Sequence, residues 1–378
     1  MATKTGETTT SWWPLAAAGA GVIALCYGFA RYAYGLFVPR FSETFGLTTV
    51  GVGVLSGLST AGYAAGLLLA PRTSAHSARG TVLLAGVAAT TGLALMALAP
   101  AVAVFAAGIV VAGASAGLVS PGVAQLIGES TGQARAQTWA NTGTGLGLAA
   151  SAGTPLLAIG WPVIWAVFAG LGAVVTLLAW RTLPRSRPAA AVTGSGSGLR
   201  PLVLNSALIG VTSAPYWTFS GSRLAEAGLS PVAATWCWGT IGVAGLLGGL
   251  AGRVVGRAGL PAATLATWTL AAAGLALLAV PGLGLFGALL SSALFGSTYM
   301  ALTGLCIVWA ARVSPARPAR GVTWSFAGLG VGQTAAAPLA GAAAASTGLG
   351  PVFILTGLIA LLAWTPWFKP AGPADRRP

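Results

Sequence analysis

Twelve stretches of this chain stay mostly apolar for about twenty residues each, and hardly a charge interrupts them. They run over 14–38, 50–70, 81–99, 101–123, 138–159, 161–180, 201–221, 233–252, 262–280, 282–309, 321–343 and 350–368. About 20 apolar residues wound as a helix cross the roughly 30 Å of hydrocarbon in a bilayer. The strict alternation of a barrel strand is absent, so helices are the only spanning element this pattern allows. Only 6% of the 378 residues are charged, against about 25% in a soluble domain. Such a chain cannot cover itself with a hydrated surface, and lipid is its expected solvent. The polar start, MATKTGETTTSWW, has no signal-peptide layout, so the first run is read as a retained span.

Basic residues then fix a topology. With the N-terminus inside, sixteen of the nineteen Lys and Arg fall in inner segments, among them Lys4, Arg72, Arg79, Arg135, Arg253, Arg257 and Lys369. The outer loops hold Arg40 and Arg223, and Arg31 stands inside a span. This bias predicts an even number of spans and two cytoplasmic termini. It also explains the net charge of +14 without nucleic acid, because the cations are scattered rather than gathered on one face with aromatics. Arginine outnumbers lysine seventeen to two, as in high-GC bacterial genomes, which points to a bacterial inner membrane. The longest inner connection carries GSGSG at 194–198, a flexible composition. It divides the chain into 1–180, a linker 181–200, and 201–378.

The two parts resemble each other. ARAQTWANTGTGLG (134–147) lies over ARGVTWSFAGLGVG (319–332), so that Gly143, Gly145 and Gly147 match Gly328, Gly330 and Gly332. The first and seventh spans align without a gap, pairing Gly28 with Gly210, Tyr34 with Tyr216 and Phe37 with Phe219. Repeats of six spans are a device of secondary transporters, which alternate access around a site near the midplane. Glycine lets helices approach closely in lipid, so the same glycines also fit plain packing.

Twelve spans, a six-plus-six repeat, a basic central loop and inside termini resemble the major facilitator superfamily over essentially the whole chain. GFARYAYGLFVP (28–39) resembles the first span of its bacterial YbfB-like branch. The resemblance implies an all-α integral membrane fold of two pseudo-symmetric six-helix bundles. A cavity would be lined by spans 1, 4, 7 and 10 and parts of 2, 5, 8 and 11. The superfamily's inner latch, Gly-x-Leu-Ala-Asp-Arg-x-Gly-Arg, survives in part. GLLLAPRTSAHSAR (66–79) keeps Gly66, Arg72 and Arg79, and GLAGRVVGR (249–257) keeps Gly249, Arg253, Gly256 and Arg257, but neither keeps the aspartate. Span four, AGIVVAGASAG (107–117), lacks the arginine that drug exporters use in proton coupling. Arg72, Arg253 and a Glu129–Arg135 pair are candidates for an inner gate. Glu129 as a solvated loop acid is an equal alternative.

Arg31 is the residue that demands an explanation. An ionised side chain at mid-bilayer costs from about 2.5 to more than 10 kcal/mol, and such groups mostly face a cavity or a partner. In an α-helix Tyr27, Arg31 and Tyr34 share one face. A guanidinium fork suits a carboxylate or phosphate, and tyrosine supplies a wall and a hydroxyl. The five acids are Glu7, Glu43, Glu129, Glu226 and Asp375, none of them mid-span. Glu43 lies about 18 Å further along at 1.5 Å per residue. An anionic ligand and a structural arginine that snorkels or bonds helix carbonyls both stay open. On the implied cavity helices, Gln125, Asn141, Tyr216, Trp217, Tyr299 and Gln333 are further substrate-binding candidates, each of which also fits an interhelical hydrogen bond.

Other chemistries find little support. GASAG (113–117) has the spacing of a nucleophile elbow, but the lone His76 lies in an inner loop and no strand precedes the serine. GTGLG (143–147) sits inside an apolar run, not in a strand–turn–helix. One histidine and three dispersed cysteines, Cys26, Cys237 and Cys306, build neither a metal site nor a disulfide framework. The expectation is therefore a monomeric secondary transporter with no enzymatic activity, cofactor or metal. Its partners would be the bilayer and a small solute, favoured as a compact organic anion, with or without a proton. Efflux of amphipathic compounds and a non-transporting receptor or scaffold are the alternatives.

Overall fold

The structure is a computed structural model and describes residues 12–128, 133–157, 159–185, 199–314 and 318–368. Among these residues it is all helical, with no strand. Twelve helices follow in chain order. α1 is a continuous rod in which an α-helix, Trp12–Ile23, passes into a π-helical stretch, Ala24–Tyr32, and back into an α-helix, Ala33–Phe45. Then come α2 (Thr49–His76), α3 (Ala78–Ala97), α4 (Val102–Gly128), α5 (Gln133–Ala152) and α6 (Trp161–Thr182). After the central connection follow α7 (Leu199–Glu226), α8 (Pro231–Gly245), α9 (Ala251–Leu277), α10 (Leu285–Val313), α11 (Pro318–Thr347) and α12 (Leu349–Ala360).

Eight of these rods are long and apolar enough to cross a membrane: α1 to α4, α6, α8 with its 3-10 extension to Leu250, α9 and α10. The composition of α7 and α11 is diluted by Asn205, Ser206, Ser213, Ser325 and Gln333, and every one of these is buried. Their polarity points into the protein, as polar groups in a membrane interior do. Lipid-side character shows on α6, where Val163, Val167, Val174, Leu177 and Leu178 are exposed.

Several elements depart from the sequence reading. α2 runs past the expected end at 70 to His76, so His76 closes a helix and is not in a loop. α12 stops at Ala360 with a 3-10 turn to Trp364 where a span to 368 was expected. The fifth span was expected to run to 159, but α5 stops at Ala152 and a 3-10 turn, Thr154–Leu156, follows, because Pro155 cannot continue the helix. The expected loop after the eighth span is itself helical. α8 leads through the 3-10 turn Leu246–Leu250 straight into α9, and the break comes only at Gly259, whose φ of 80° ends one helix while Pro261 begins the next.

Glycine sets the helix crossings that hold this architecture. A Cβ on Gly28 of α1 would stand 2.4 Å from the Gly147 Cα of α5. The same contact recurs between α7 and α11, where a Cβ on Gly210 would meet the Leu329 carbonyl at 2.2 Å and the Gly332 Cα at 3.0 Å. Gly143 against Ala20 and Gly147 against Ala24 recur as Gly328 against Val203 and Gly332 against Ala207. These are the glycines that align in the internal repeat. Extra atoms in a packed core cost about 1–3 kcal/mol, and here the obstacle is backbone. Gly147→Val is expected to cost more than that range and to abolish the monodisperse species in fluorescence-detected size exclusion. Gly170→Val, where nothing lies within 4 Å, is expected to behave as wild type.

Candidate functional site: a buried arginine in a tyrosine cage

The π-helical stretch of α1 arranges the site. The Ala33 N–H reaches back five residues to the Gly28 carbonyl. In an α-helix, residues five apart point about 140° away from each other. Here Tyr27 and Tyr32 fall on one side, their rings 5.9 Å apart, with Arg31 beside them.

Arg31 is 5% exposed. Its Nη2 donates to Gln333 Oε1 of α11, and its Nη1 donates to the Tyr32 hydroxyl at 3.2 Å. The guanidinium carbon lies 4.1 Å from the centroid of the Tyr63 ring of α2, 5.0 Å from Tyr32 and 5.9 Å from Tyr27. Gln333 is oriented by its own Nε2, which donates to Ser213 Oγ of α7 at 3.1 Å. Tyr32 shares a 3.0 Å hydrogen bond with the Tyr299 hydroxyl of α10 and stacks on Trp217 of α7 at 4.1 Å. Tyr27 bonds Ser120 of α4 at 3.0 Å. Four of the six tyrosines thus surround one cation, supplied by helices from both parts of the chain.

No carboxylate balances it among the described residues. Glu43 and Glu226 are exposed at helix ends, and Glu226 lies 3.9 Å from Arg223. Among the described residues Arg31 is held by neutral dipoles and ring faces. Desolvated cation–π contacts are worth about 2 kcal/mol or more each and removing an ion from water costs several, so three ring faces and two hydrogen bonds offset a cost of the same order. Beside it lies a cavity of about 30 Å³, measured at the centre of a water-sized sphere, and one water needs about 10–15 Å³ on that measure. Arg31, Tyr34, Ser56, Thr60, Trp217 and Gln333 are among its walls. In the wall, Ser56 bonds Thr218 at 2.6 Å and Thr60 bonds Thr334 at 3.0 Å.

Residues 23–365 match the family described as "Uncharacterised MFS-type transporter YbfB". The chain belongs to this family. It is a multi-pass membrane protein of the major facilitator type. Among curated proteins, none matches it in sequence. Three solved structures share its fold. The D-xylose-proton symporter is 15% identical, with 95% of this chain and 98% of that one covered and a TM-score of 0.76. A bacterial homolog of the human lysosomal transporter Spinster, in an inward-facing and unoccupied conformation, is 17% identical, with coverages of 94% and 96% and a TM-score of 0.70. The human organic anion transporter MFSD10 is 18% identical, with coverages of 93% and 99% and a TM-score of 0.67.

Within this transporter, the sequence-predicted residues separate into groups. Arg31, Tyr27, Trp217, Tyr299 and Gln333 come together around the guanidinium. Tyr34 borders the cavity, but its hydroxyl donates to the Val52 carbonyl at 3.3 Å and its ring stacks on Phe41. Tyr216 is fully buried against Phe295, bonding Ser291 at 3.0 Å and Ser292 at 3.3 Å. Gln125 donates to the Ser74 carbonyl near the end of α2 at 3.2 Å, and Asn141 is exposed and accepts from Gln137 at 2.9 Å. Of the gate candidates, Arg72 and Arg253 are exposed; Glu129 and the Arg135 side chain lie outside the described residues. Tyr32, Tyr63 and Ser213 were not singled out from the sequence. Tyr32 was hidden by assuming α-helical periodicity; for Tyr63 a signal was present, because Ser56, Ser59 and Thr60 precede it at i−7, i−4 and i−3 on one face of α2.

Proposed function

We propose that this protein is a secondary transporter that moves a small organic anion across a bacterial inner membrane by alternating access, with Arg31 as the charge anchor. The carrying observation is the buried guanidinium that has a cavity beside it and no carboxylate partner among the described residues. A charge kept at that depth without a counter-ion is best accounted for by a ligand that brings one. Twelve spans with both termini in the cytoplasm, and halves 1–180 and 201–378 joined by the 181–200 linker, are part of this reading. The recurrence of the Gly28–Gly147 crossing as Gly210–Gly332 supports it. So does the fold shared with sugar and organic anion transporters.

In this topology the starts of α2 and α8 and the ends of α5 and α11 face outward. α2 and α11 approach there through Gly53, where a Cβ would lie 2.5 Å from the Ala337 carbonyl, and through Gly341, 2.5 Å from the Thr49 carbonyl. The outer path is therefore shut in this conformer, and the transporter is read as a monomer that opens it by rocking one half against the other.

A thermal-shift screen of the purified transporter tests the reading. An organic acid at a hundredfold excess over its Kd is expected to stabilise the fold by about 2.7 kcal/mol, and the same acid should show counterflow in proteoliposomes. Stabilisation by amphipathic cations alone would favour efflux of such compounds. Binding without flux would make the protein a receptor.

A further inference from the structure

Ser59 of α2 lines the cavity beside Arg31 and is 7% exposed, yet its hydroxyl bonds nothing among the described residues. A serine inside a helix has the carbonyls three and four residues back within reach, and Ser115, Ser151 and Ser297 each take one. Ser59 leaves its own untaken. The other hydroxyls of the cavity wall are committed: Ser56 to Thr218, Thr60 to Thr334, Tyr34 to the Val52 carbonyl and Tyr32 to Tyr299. Arg31 Nε and Trp217 Nε1 are closed to a water-sized sphere, whereas Ser59 Oγ is not. A polar group at this depth that is neither bonded nor sealed in is one that a solvent or solute molecule satisfies.

The GASAG run of α4 (113–117) explains why the hydroxyl stands where it does. A Cβ on Gly113 would lie 2.0 Å from the Ser59 carbonyl oxygen, and one on Gly117 would lie 2.1 Å from that of Tyr63. Two glycines one turn apart thus clamp residues 59–63 of α2 against α4, backbone on backbone. Residues four apart share a helix face and are separated by about one turn, 5.4 Å. Ser59 therefore sits one turn from Tyr63, whose ring centroid lies 4.1 Å from the Arg31 guanidinium carbon. A hydroxyl without a partner and the lone cation border one cavity, and the hydroxyl is rigidly placed.

We infer that Ser59 is a specificity-determining residue that hydrogen-bonds an oxygen on the carbon next to the substrate's carboxylate, so that 2-hydroxy and 2-oxo acids are the preferred ligands. The inference rests on the reading of Arg31 as an anion anchor and adds the feature by which one organic acid is told from another. A hydroxyl both donates and accepts, so it serves an alcohol and a ketone oxygen alike. The cavity has room for about two or three waters, the bulk of a small acid of this kind. An acid without the added oxygen leaves Ser59 unsatisfied, and a site built around a hydrogen bond discriminates against such an analogue.

Isothermal titration of the full-length protein in detergent tests this, with glycolate against acetate, and lactate and pyruvate against propionate. Each oxygenated acid is expected to bind about tenfold more tightly than its plain counterpart. In Ser59→Ala that preference should shrink to less than about threefold, with the melting temperature of the ligand-free protein kept, because no native partner is lost. Equal binding of oxygenated and plain acids by the wild type, or an undiminished preference in Ser59→Ala, would each overturn the inference. Should Ser59→Ala fail to fold, the wild-type ranking decides alone. Equal binding that disappears in Arg31→Gln would overturn the role of Ser59 and leave the anion-transport reading standing. Binding of none of these acids would overturn the role of Ser59, and the thermal-shift screen then decides the anchor. Binding untouched by Arg31→Gln would overturn both.

Discussion

Arg31→Ala is expected to bring solute flux in proteoliposomes down to that of empty vesicles, with membrane insertion and yield kept. The two halves of this expectation come from opposite effects of the same charge. Arginine at the centre of a span opposes insertion by at least about 2.5 kcal/mol, so removing it helps the chain enter the bilayer. For an anion bound beside it, the loss runs the other way. Hydrogen bonds to charged groups contribute about 1.5–3 kcal/mol each, and losing two lowers affinity by a hundredfold or more. The fold does not escape entirely, since Gln333 Oε1 loses its donor from α1. That orphaned acceptor costs about 1–3 kcal/mol, a modest fall in melting temperature. Arg31→Lys separates charge from shape: the ammonium keeps the charge but cannot bond Gln333 and Tyr32 as a planar fork, so weak, impaired flux is expected. Normal flux in Arg31→Ala, with normal substrate affinity, would make the arginine a structural residue.

Much of this architecture was legible because hydropathy, charge bias and glycine spacing all report on the bilayer. The lipid decides where apolar runs go, and the repeat of Gly143, Gly145 and Gly147 as Gly328, Gly330 and Gly332 shows which helices come closest. The same physics singled out Arg31, since a lone cation in a span calls for an explanation whatever the fold. The detail around it was less legible. An α-helical wheel puts Tyr34 beside Arg31 and sends Tyr32 away, whereas the five-residue spacing of the π-helical stretch brings Tyr32 to Tyr27 and the guanidinium. No local signal in ALCYGFARY marks that change of winding. Gln333 stood out as a polar residue on an apolar helix, but its partner is 302 positions away, and only the packing of α11 against α2 and α7, which carries it to Arg31, identifies it. Gln125 and Asn141 show the reverse case. Each has the same polar signature, and each is satisfied by a nearby hydrogen bond away from the cation.

Gln333→Glu is expected to abolish anion binding and flux while leaving the ligand-free protein at least as stable as wild type. The amide already occupies the place a carboxylate would take. Oε1 accepts from Arg31 Nη2, and the other end of the group faces Ser213 Oγ at 3.1 Å. A carboxylate keeps both contacts if the serine hydroxyl turns to donate, so the substitution changes charge and not shape. Two opposite charges about 4 Å apart attract by about 4 kcal/mol at an effective dielectric of 20. Burying the new carboxylate costs several kcal/mol, but the desolvation of Arg31 is already present in the native fold. The pair therefore comes out near balance or better, and it satisfies the guanidinium internally. A soluble anion must then compete with a tethered one, which predicts an affinity loss of a hundredfold or more by titration. Gln333→Ala gives the opposite pattern, a lower melting temperature with anion binding retained, because Arg31 loses a neutral partner and gains no rival ligand. If Gln333→Glu binds and transports organic anions as wild type does, the guanidinium of Arg31 is not where they sit, and the charge in the first helix serves the fold alone.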